Sequence, residues 1–130
     1  MPMLIDIIIP NYNGQRFLRD CLHSIQQQTC SDFSVIVVDN GSVDGSREYL
    51  RSEFPEVQLI ALSENRGFSA AVNAGISAGS APLIFLLNND TELAEDCLAE
   101  LLAAAKKKEE FDFFAAKMFD FHDRSRLDGA

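Results

Sequence analysis

Four short stretches carry most of the side chains that could do chemistry: Pro10-Asn11-Tyr12-Asn13-Gly14, Asp39-Asn40-Gly41-Ser42, Glu64-Asn65-Arg66-Gly67 and Asn88-Asn89-Asp90-Thr91. Any one of them is explained by turn formation, because Asn, Asp and Gly are turn formers. Four in succession, each behind an apolar run, point instead to a binding edge. Their carboxylate and amide oxygens suit hydroxyl groups and hard cations. Asp39 stands where dinucleotide-binding folds place an acid for ribose hydroxyls. The first turn, PNYNG, has no GxGxxG, so it lacks the close backbone approach to a pyrophosphate that those folds use. A divalent cation can hold a pyrophosphate instead, taking carboxylate and amide oxygens and keeping phosphate oxygens as its other ligands. Asp90 is the natural ligand for it.

The apolar runs must position these residues. Leu4 to Ile9, Phe33 to Val38, Val57 to Leu62 and Leu83 to Leu87 are short, rich in branched side chains and bounded by turn formers, so they read as buried strands. Helical periods lie between and after them. Phe17, Leu18, Cys21, Leu22 and Ile25 share one face, and Leu93, Cys97, Leu98, Leu101 and Leu102 share another. Ser46 to Glu53 and Phe68 to Gly79 supply two shorter helices. Nearly continuous apolar strands alternating with helices imply parallel pairing with helices on both faces. Right-handed crossovers reduce this to an α/β, open, doubly wound sheet, whose ligands bind beyond the carboxyl ends of the strands. Phe111 to Met118 reads as a fifth strand. The closing stretch FDFHDRSRLDGA supplies no further element, so a truncated piece of a longer protein is expected.

Composition excludes several alternatives. The 130 residues suffice for one compact domain. A net charge of −9 argues against nucleic acid, whose partners neutralise phosphates with Lys and Arg. Cys21, Cys30 and Cys97 form no CxxC pair, so reduced thiols are expected rather than a disulfide framework or a zinc knuckle. The N-terminus has no basic region of a signal peptide, and no run approaches the roughly 20 apolar residues of a membrane span. A cytoplasmic location follows, with peripheral membrane contact by the full-length protein left open. The run from Lys106 to Glu110 reads as the solvated end of the last helix.

Two decoys fail on spacing. Asn40 to Gly45 opens like a calcium loop, but Arg51 falls where a bidentate Glu is required. His23 and His122 lack a partner at metal-ligand spacing, and no GxSxG elbow marks a nucleophilic serine. His23 reads as a surface residue. His122 lies beside Asp120 and Asp123 in a tail without readable elements.

The stretches IIIPNYNG, VIVVDNGSVDGS, NRGFSAAVNAG and IFLLNNDTEL, in this order and spacing, resemble the nucleotide-binding N-terminal half of the family-two glycosyltransferases, with their GT-A type, Rossmann-like fold. The likeness runs over nearly the whole chain, so residues 1–130 are expected to form the donor part of such a domain, with the acceptor-binding part absent. The resemblance implies that Pro10, Asn11, Tyr12 and Asn13 pack around the base and ribose. It implies that Asp39 hydrogen-bonds the base and that Asn65, Gly67 and Asn73 line the nucleotide pocket. The family's Asp-x-Asp pattern falls on Asn88, Asn89 and Asp90, with an amide in place of the first acid. That departure is similar to a branch containing rhamnosyl and other polysaccharide-building transferases.

The implied reaction transfers a sugar from a nucleoside-diphosphate donor to an acceptor hydroxyl of a glycan or lipid-linked molecule, with inversion and with Mg2+ or Mn2+ at Asp90. A unit charge pair about 4 Å apart is worth about 4 kcal/mol at an effective dielectric of 20, so losing the first acid weakens the empty metal site. Metal and nucleotide are therefore expected to bind together. In the family the general base lies well downstream of the metal motif, here beyond Ala130, and Asp128 belongs to a connecting segment. The alternatives are a nucleotide-binding module without catalysis and, against the absence of a Gly-rich basic loop after the first strand, a nucleotidyltransferase.

Overall fold

A computed structural model describes residues 3–120 together with His122 and Asp123. Eight elements alternate along the chain: β1 (Ile5–Asn11), α1 (Gln15–Gln26), β2 (Phe33–Asp39), α2 (Ser46–Glu53), β3 (Gln58–Ala61), α3 (Phe68–Ala78), β4 (Leu83–Leu86) and α4 (Cys97–Lys107). The strands form one parallel sheet in the order β3-β2-β1-β4. β1 is the centre. It is buried on both faces, which is why its sequence is apolar apart from Asp6 and the terminal Asn11.

Side-chain alternation along the strands makes two cores. Ile5, Ile7, Ile9 and Val37 pack under α1, α2 and α4 through Leu18, Cys21, Leu22, Ile25, Leu50, Phe54 and Leu98. Ile8, Ile36 and Val38 pack on the other face against Ala71 of α3. This second interface is close. A Cβ at Gly75 would lie 2.6 Å from Ile8 Cγ2, so α3 needs its small residues to seat on the sheet.

The chain runs outward from β1 to β3, then returns to place β4 on the far side of β1. The reversal makes the carboxyl ends of β1 and β4 the switch point where such sheets bind ligands. Pro10 opens this point. Ile8 accepts the Leu87 N–H through its carbonyl, so by alternation Pro10 also faces β4, where pairing has already ended at Ile8 and Leu86. A residue without an N–H is tolerated where no ladder remains.

Two expectations need correction. Residues 111–118 form no strand, and Phe113 is 94% exposed: this stretch is apolar but finds no strand edge to pair with among the described residues. The last helix begins at Cys97 and not at Leu93, although Leu93 still packs on the core and donates its N–H to Ser24 Oγ at 3.0 Å. Asp128 lies outside the described residues. No described helix is long and apolar enough to cross a membrane.

Candidate functional site

The four polar clusters meet at the carboxyl edge, held by a buried network with Asn11 and Asp39 at its centre. These two are register partners on β1 and β2, and both are buried. Asn11 Nδ2 donates to Asp39 Oδ1 at 3.0 Å, and Asn11 Oδ1 accepts from Asn89 Nδ2 at 2.8 Å. Asp39 Oδ2 accepts the Ser42 N–H at 3.0 Å and pairs with Arg47 Nε at 3.1 Å. Arg47 Nη2 also donates to the Ser42 carbonyl, closing the β2–α2 loop on itself.

Asn40 organises the neighbouring loop. Its Nδ2 donates to Asn65 Oδ1 at 3.0 Å and to the Gly67 carbonyl at 3.1 Å, while its Oδ1 accepts the Arg66 N–H at 2.9 Å. Gly41 lets the two loops touch: its φ is +81°, and a Cβ there would lie 2.7 Å from the Glu64 backbone. Asn13 fastens the first loop to the second. With φ +50° it donates its N–H to Ser42 Oγ and accepts the Val43 N–H through Oδ1. Asn88 is fixed through its carbonyl, which accepts from Thr91 Oγ1 at 2.7 Å and from Cys21 Sγ at 3.8 Å.

The result is an open cleft of about 480 Å³ lined by Pro10, Asn11, Tyr12, Asn40, Asn65, Gly67, Phe68, Asn88, Asn89 and Asp90. Eight of these are sequence-expected site residues brought together by the fold. Three others are not in its lining. Asn13 is a strap between loops, Asn73 is exposed on α3, and Asp39 sits behind the cleft with three donors already on its two oxygens. Asp39 is held there by Asn11, Ser42 and Arg47. Two residues escaped the sequence reading. Asn40 was legible only as a turn former, and Phe68 only as the first residue of a helix. The unspent signal was Phe68's aromatic ring, 56% exposed and near the half-exposed Tyr12 ring in the same lining.

The electrostatics of the cleft are simple. Among the described residues Asp90 is its one charged lining residue, and no Lys or Arg side chain lines it. The N-terminus of α3 opens onto it at Gly67 and Phe68, so first-turn N–H groups and the helix dipole favour an anion there. Among the described residues no three His, Cys, Asp or Glu side chains cluster as a closed metal site. One carboxylate beside amide oxygens still fits Mg2+ or Mn2+, since such ions use one or two carboxylates and fill their other positions with water and substrate phosphate. Cys21 lies nearby but is no thiolate ligand: burial, with smaller contributions from Asp90 and Glu92 against hydrogen bonding at Thr91, pushes its thiol up to about 12. All three cysteines are free thiols.

A second groove of about 600 Å³ lies between the start of α1 and α2, lined by Asn13, Gln15, Arg16, Arg19, Asp44 and Tyr49. Its one carboxylate is committed to the fold. Burial raises the pKa of Asp44, but hydrogen bonds from Ser46, from the Gln15 N–H and from the Ser46 N–H outweigh it and leave the group below its ordinary value.

Comparison with known proteins agrees with this geometry. The family model "Glycosyl transferase family 2" matches residues 6–126. The chain belongs to this family. Glycosyltransferase GlyA of Streptococcus pneumoniae is 36% identical over 106 residues, which cover 76% of this chain and 15% of GlyA. S. aureus TarS 1–349 in complex with UDP superposes with a TM-score of 0.75 at 18% identity, covering 91% of this chain and 40% of that one. The mannosyltransferase PcManGT of Pyrobaculum calidifontis, in complex with GDP-Man and Mn2+, gives 0.71 at 24% identity, covering 81% of this chain and 33% of that one. The GT-A type fold expected of family 2 is thus present. The chain spans well under half the length of each of these proteins.

Proposed function

We propose that the chain is the donor-binding part of a glycosyltransferase that moves a sugar from a nucleoside diphosphate to the hydroxyl of a glycan or lipid-linked acceptor, with inversion, in polysaccharide or cell-surface glycan synthesis. The observation that carries this reading is the composition of the switch-point cleft, which among the described residues holds amides, two exposed aromatic rings, one carboxylate and no cationic side chain. A base stacks on Tyr12 and Phe68 and is read by Asn65, with Asn11 and Asn40 supporting the floor and Pro10 and Gly67 shaping the wall. The diphosphate lies between the α3 N-terminus and Asn88, Asn89 and Asp90. Its charge calls for a divalent ion, which Asp90 would hold. When bound, that ion would neutralise the charge that develops on the leaving diphosphate. The ligands of TarS and PcManGT, UDP in one and GDP-Man with Mn2+ in the other, support the same assignment.

Among the described residues Asp90 is the one carboxylate of the lining, and on this reading the general base belongs to the acceptor-binding part and the 130-residue chain alone is a nucleotide-binding module without turnover. Calorimetric titration with UDP, dTDP and GDP, each with and without Mn2+, tests both statements. The expected result is Mn2+-dependent binding of one nucleotide, abolished in Asp90→Ala, with no sugar transfer. Well-folded protein that binds none of the three would sink the donor-site reading.

A further inference from the structure

The second groove is the chemical reverse of the switch-point cleft. Among the described residues the cleft has a carboxylate and no cationic side chain, whereas the groove between α1 and α2 holds Arg16 and Arg19. Neither guanidinium has an ion-pair partner among the described residues, although the chain as a whole carries a net charge of −9. Arg16 lies over the ring of Phe17, 4.6 Å from its centroid. It is also the second residue of α1, whose first turn has no acid, so the positive end of the helix dipole adds to its charge instead of offsetting it.

The neutral lining points the same way. Asn13 Oδ1 accepts the Val43 N–H at 2.8 Å, and Gln15 Oε1 accepts the Gly45 N–H at 3.0 Å. A backbone N–H can only donate, so each amide is fixed with its nitrogen left over, and among the described residues neither nitrogen has an acceptor. Gly45 is fitted to this arrangement: a Cβ there would stand 2.6 Å from Gln15 Oε1. Asp44, the acid of the lining, is spent as well. Its Oδ1 takes the Ser46 N–H at 2.9 Å and the Ser46 hydroxyl, and its Oδ2 takes the Gln15 N–H at 3.1 Å. Asp44 thereby serves the first N–H of both helices, so the capacity left in the groove belongs to side chains and not to helix ends. Those side chains are donors, and the hydroxyl of Tyr49 can donate too.

We propose that this groove is a metal-independent site for a phosphate group, held by the guanidiniums of Arg16 and Arg19 and by the amide nitrogens of Asn13 and Gln15. Four donor side chains exceed what a carboxylate can accept and suit the larger oxygen set of a phosphate, and planar guanidiniums match its geometry. The phosphate is either free or part of a lipid headgroup, since both present the same oxygens. The site is independent of the donor-site reading.

The test is a titration of the 130-residue chain with inorganic phosphate in EDTA, at an ionic strength held constant with chloride, followed by 15N NMR of the arginine Nε–H and side-chain amide signals. Sedimentation with vesicles of phosphatidylglycerol or of phosphatidylcholine forms the second arm. Both are repeated on the double variant Arg16→Gln/Arg19→Gln and on Gln15→Glu, which keeps an acceptor for the Gly45 N–H but sets a charge against the anion. The Arg16, Arg19, Asn13 and Gln15 signals are expected to shift together and saturably, and each variant to weaken binding at least about tenfold, as loss of charge-assisted hydrogen bonds requires. Saturable shifts with inorganic phosphate assign the site to free phosphate. Sedimentation with phosphatidylglycerol alone, lost in both variants and without phosphate-induced shifts, assigns it to a headgroup. Absence of both responses, or responses that survive either variant, would overturn the proposal.

Discussion

Asp6 and Asp39 are buried carboxylates on adjacent strands at opposite edges of one sheet, and the fold treats them in parallel. Each is bound by its register partner, Asp6 by Ser34 Oγ at 2.7 Å and Asp39 by Asn11 Nδ2 at 3.0 Å. Each supports a close approach that depends on a glycine. A Cβ at Gly79 would overlap the Asp6 carboxylate, as one at Gly14 would overlap the amide of Asn89. The two acids differ at the second oxygen. Asp6 spends it on the Ala81 N–H and so ties the chain where it enters β4. Asp39 takes a cation there, Arg47, and is joined through Asn11 to the amide of Asn89. One device closes the fold at the amino edge and braces the cleft at the carboxyl edge.

Alanine at each acid gives the largest separation. Asp39→Ala leaves Arg47, the Ser42 N–H and the Asn11 amide without their acceptor, and we expect a loss of about 3 kcal/mol or more in urea unfolding together with loss of nucleotide binding. Asp6→Ala, which strips only neutral donors of their acceptor, is expected to cost about 2 kcal/mol and to leave nucleotide affinity unchanged. Equal effects of both variants on affinity would erase the comparison.

Gly79→Ala probes the amino edge alone. Crowding the Asp6 carboxylate should destabilise by about 1–2 kcal/mol, read as a lower urea midpoint, while nucleotide binding is retained. A loss of binding comparable to that of Asp39→Ala would show that the two edges are coupled.

The smallest effect is a pH dependence. Burial raises the pKa of Asp6, but hydrogen bonds from Ser34, from the Ala81 N–H and from Ser80 outweigh it, leaving the group below its ordinary value of 3.8. A carboxyl depressed in the folded state adds stability that is complete above its unfolded value and is lost as pH falls through the folded one. The stability deficit of Asp6→Asn should therefore be about 1 kcal/mol near pH 6 and shrink toward about pH 2.5. A deficit that grows on acidification would mean that the carboxyl is protonated in the fold.

Much of this was legible beforehand. The apolar runs located all four strands to within two residues at each end, because branched apolar runs between turn formers favour strands, although β3 and β4 are less buried than that composition suggested. The polar clusters marked the binding edge for the same reason: Asn, Asp and Gly behind a buried strand are turn formers, and in a parallel sheet those turns fall on one side. The run from Phe111 to Met118 misled because an apolar run names a strand only if a neighbour completes its ladder. Asp39 was placed after the second strand by the sequence, but nothing in VVDNGS says that Arg47, the second residue of the next helix, will reach back to it.

The order of strands and helices, the parallel sheet and the edge that bears the site were determined by the sequence itself, because burial and turn chemistry are local demands on residue type. Which atoms of that edge bond to which was decided only by the tertiary structure. Asn11, Asn40, Asn88 and Asn89 are one residue type with four different tasks, and an amide acquires a direction only from its partners. Those partners are 25 to 78 residues away along the chain: Asp39 and Asn89 for Asn11, and Asn65 for Asn40. A hydrogen-bond chain with one charged end has a single satisfied orientation, and only the folded register brings that end, Asp39, against Asn11.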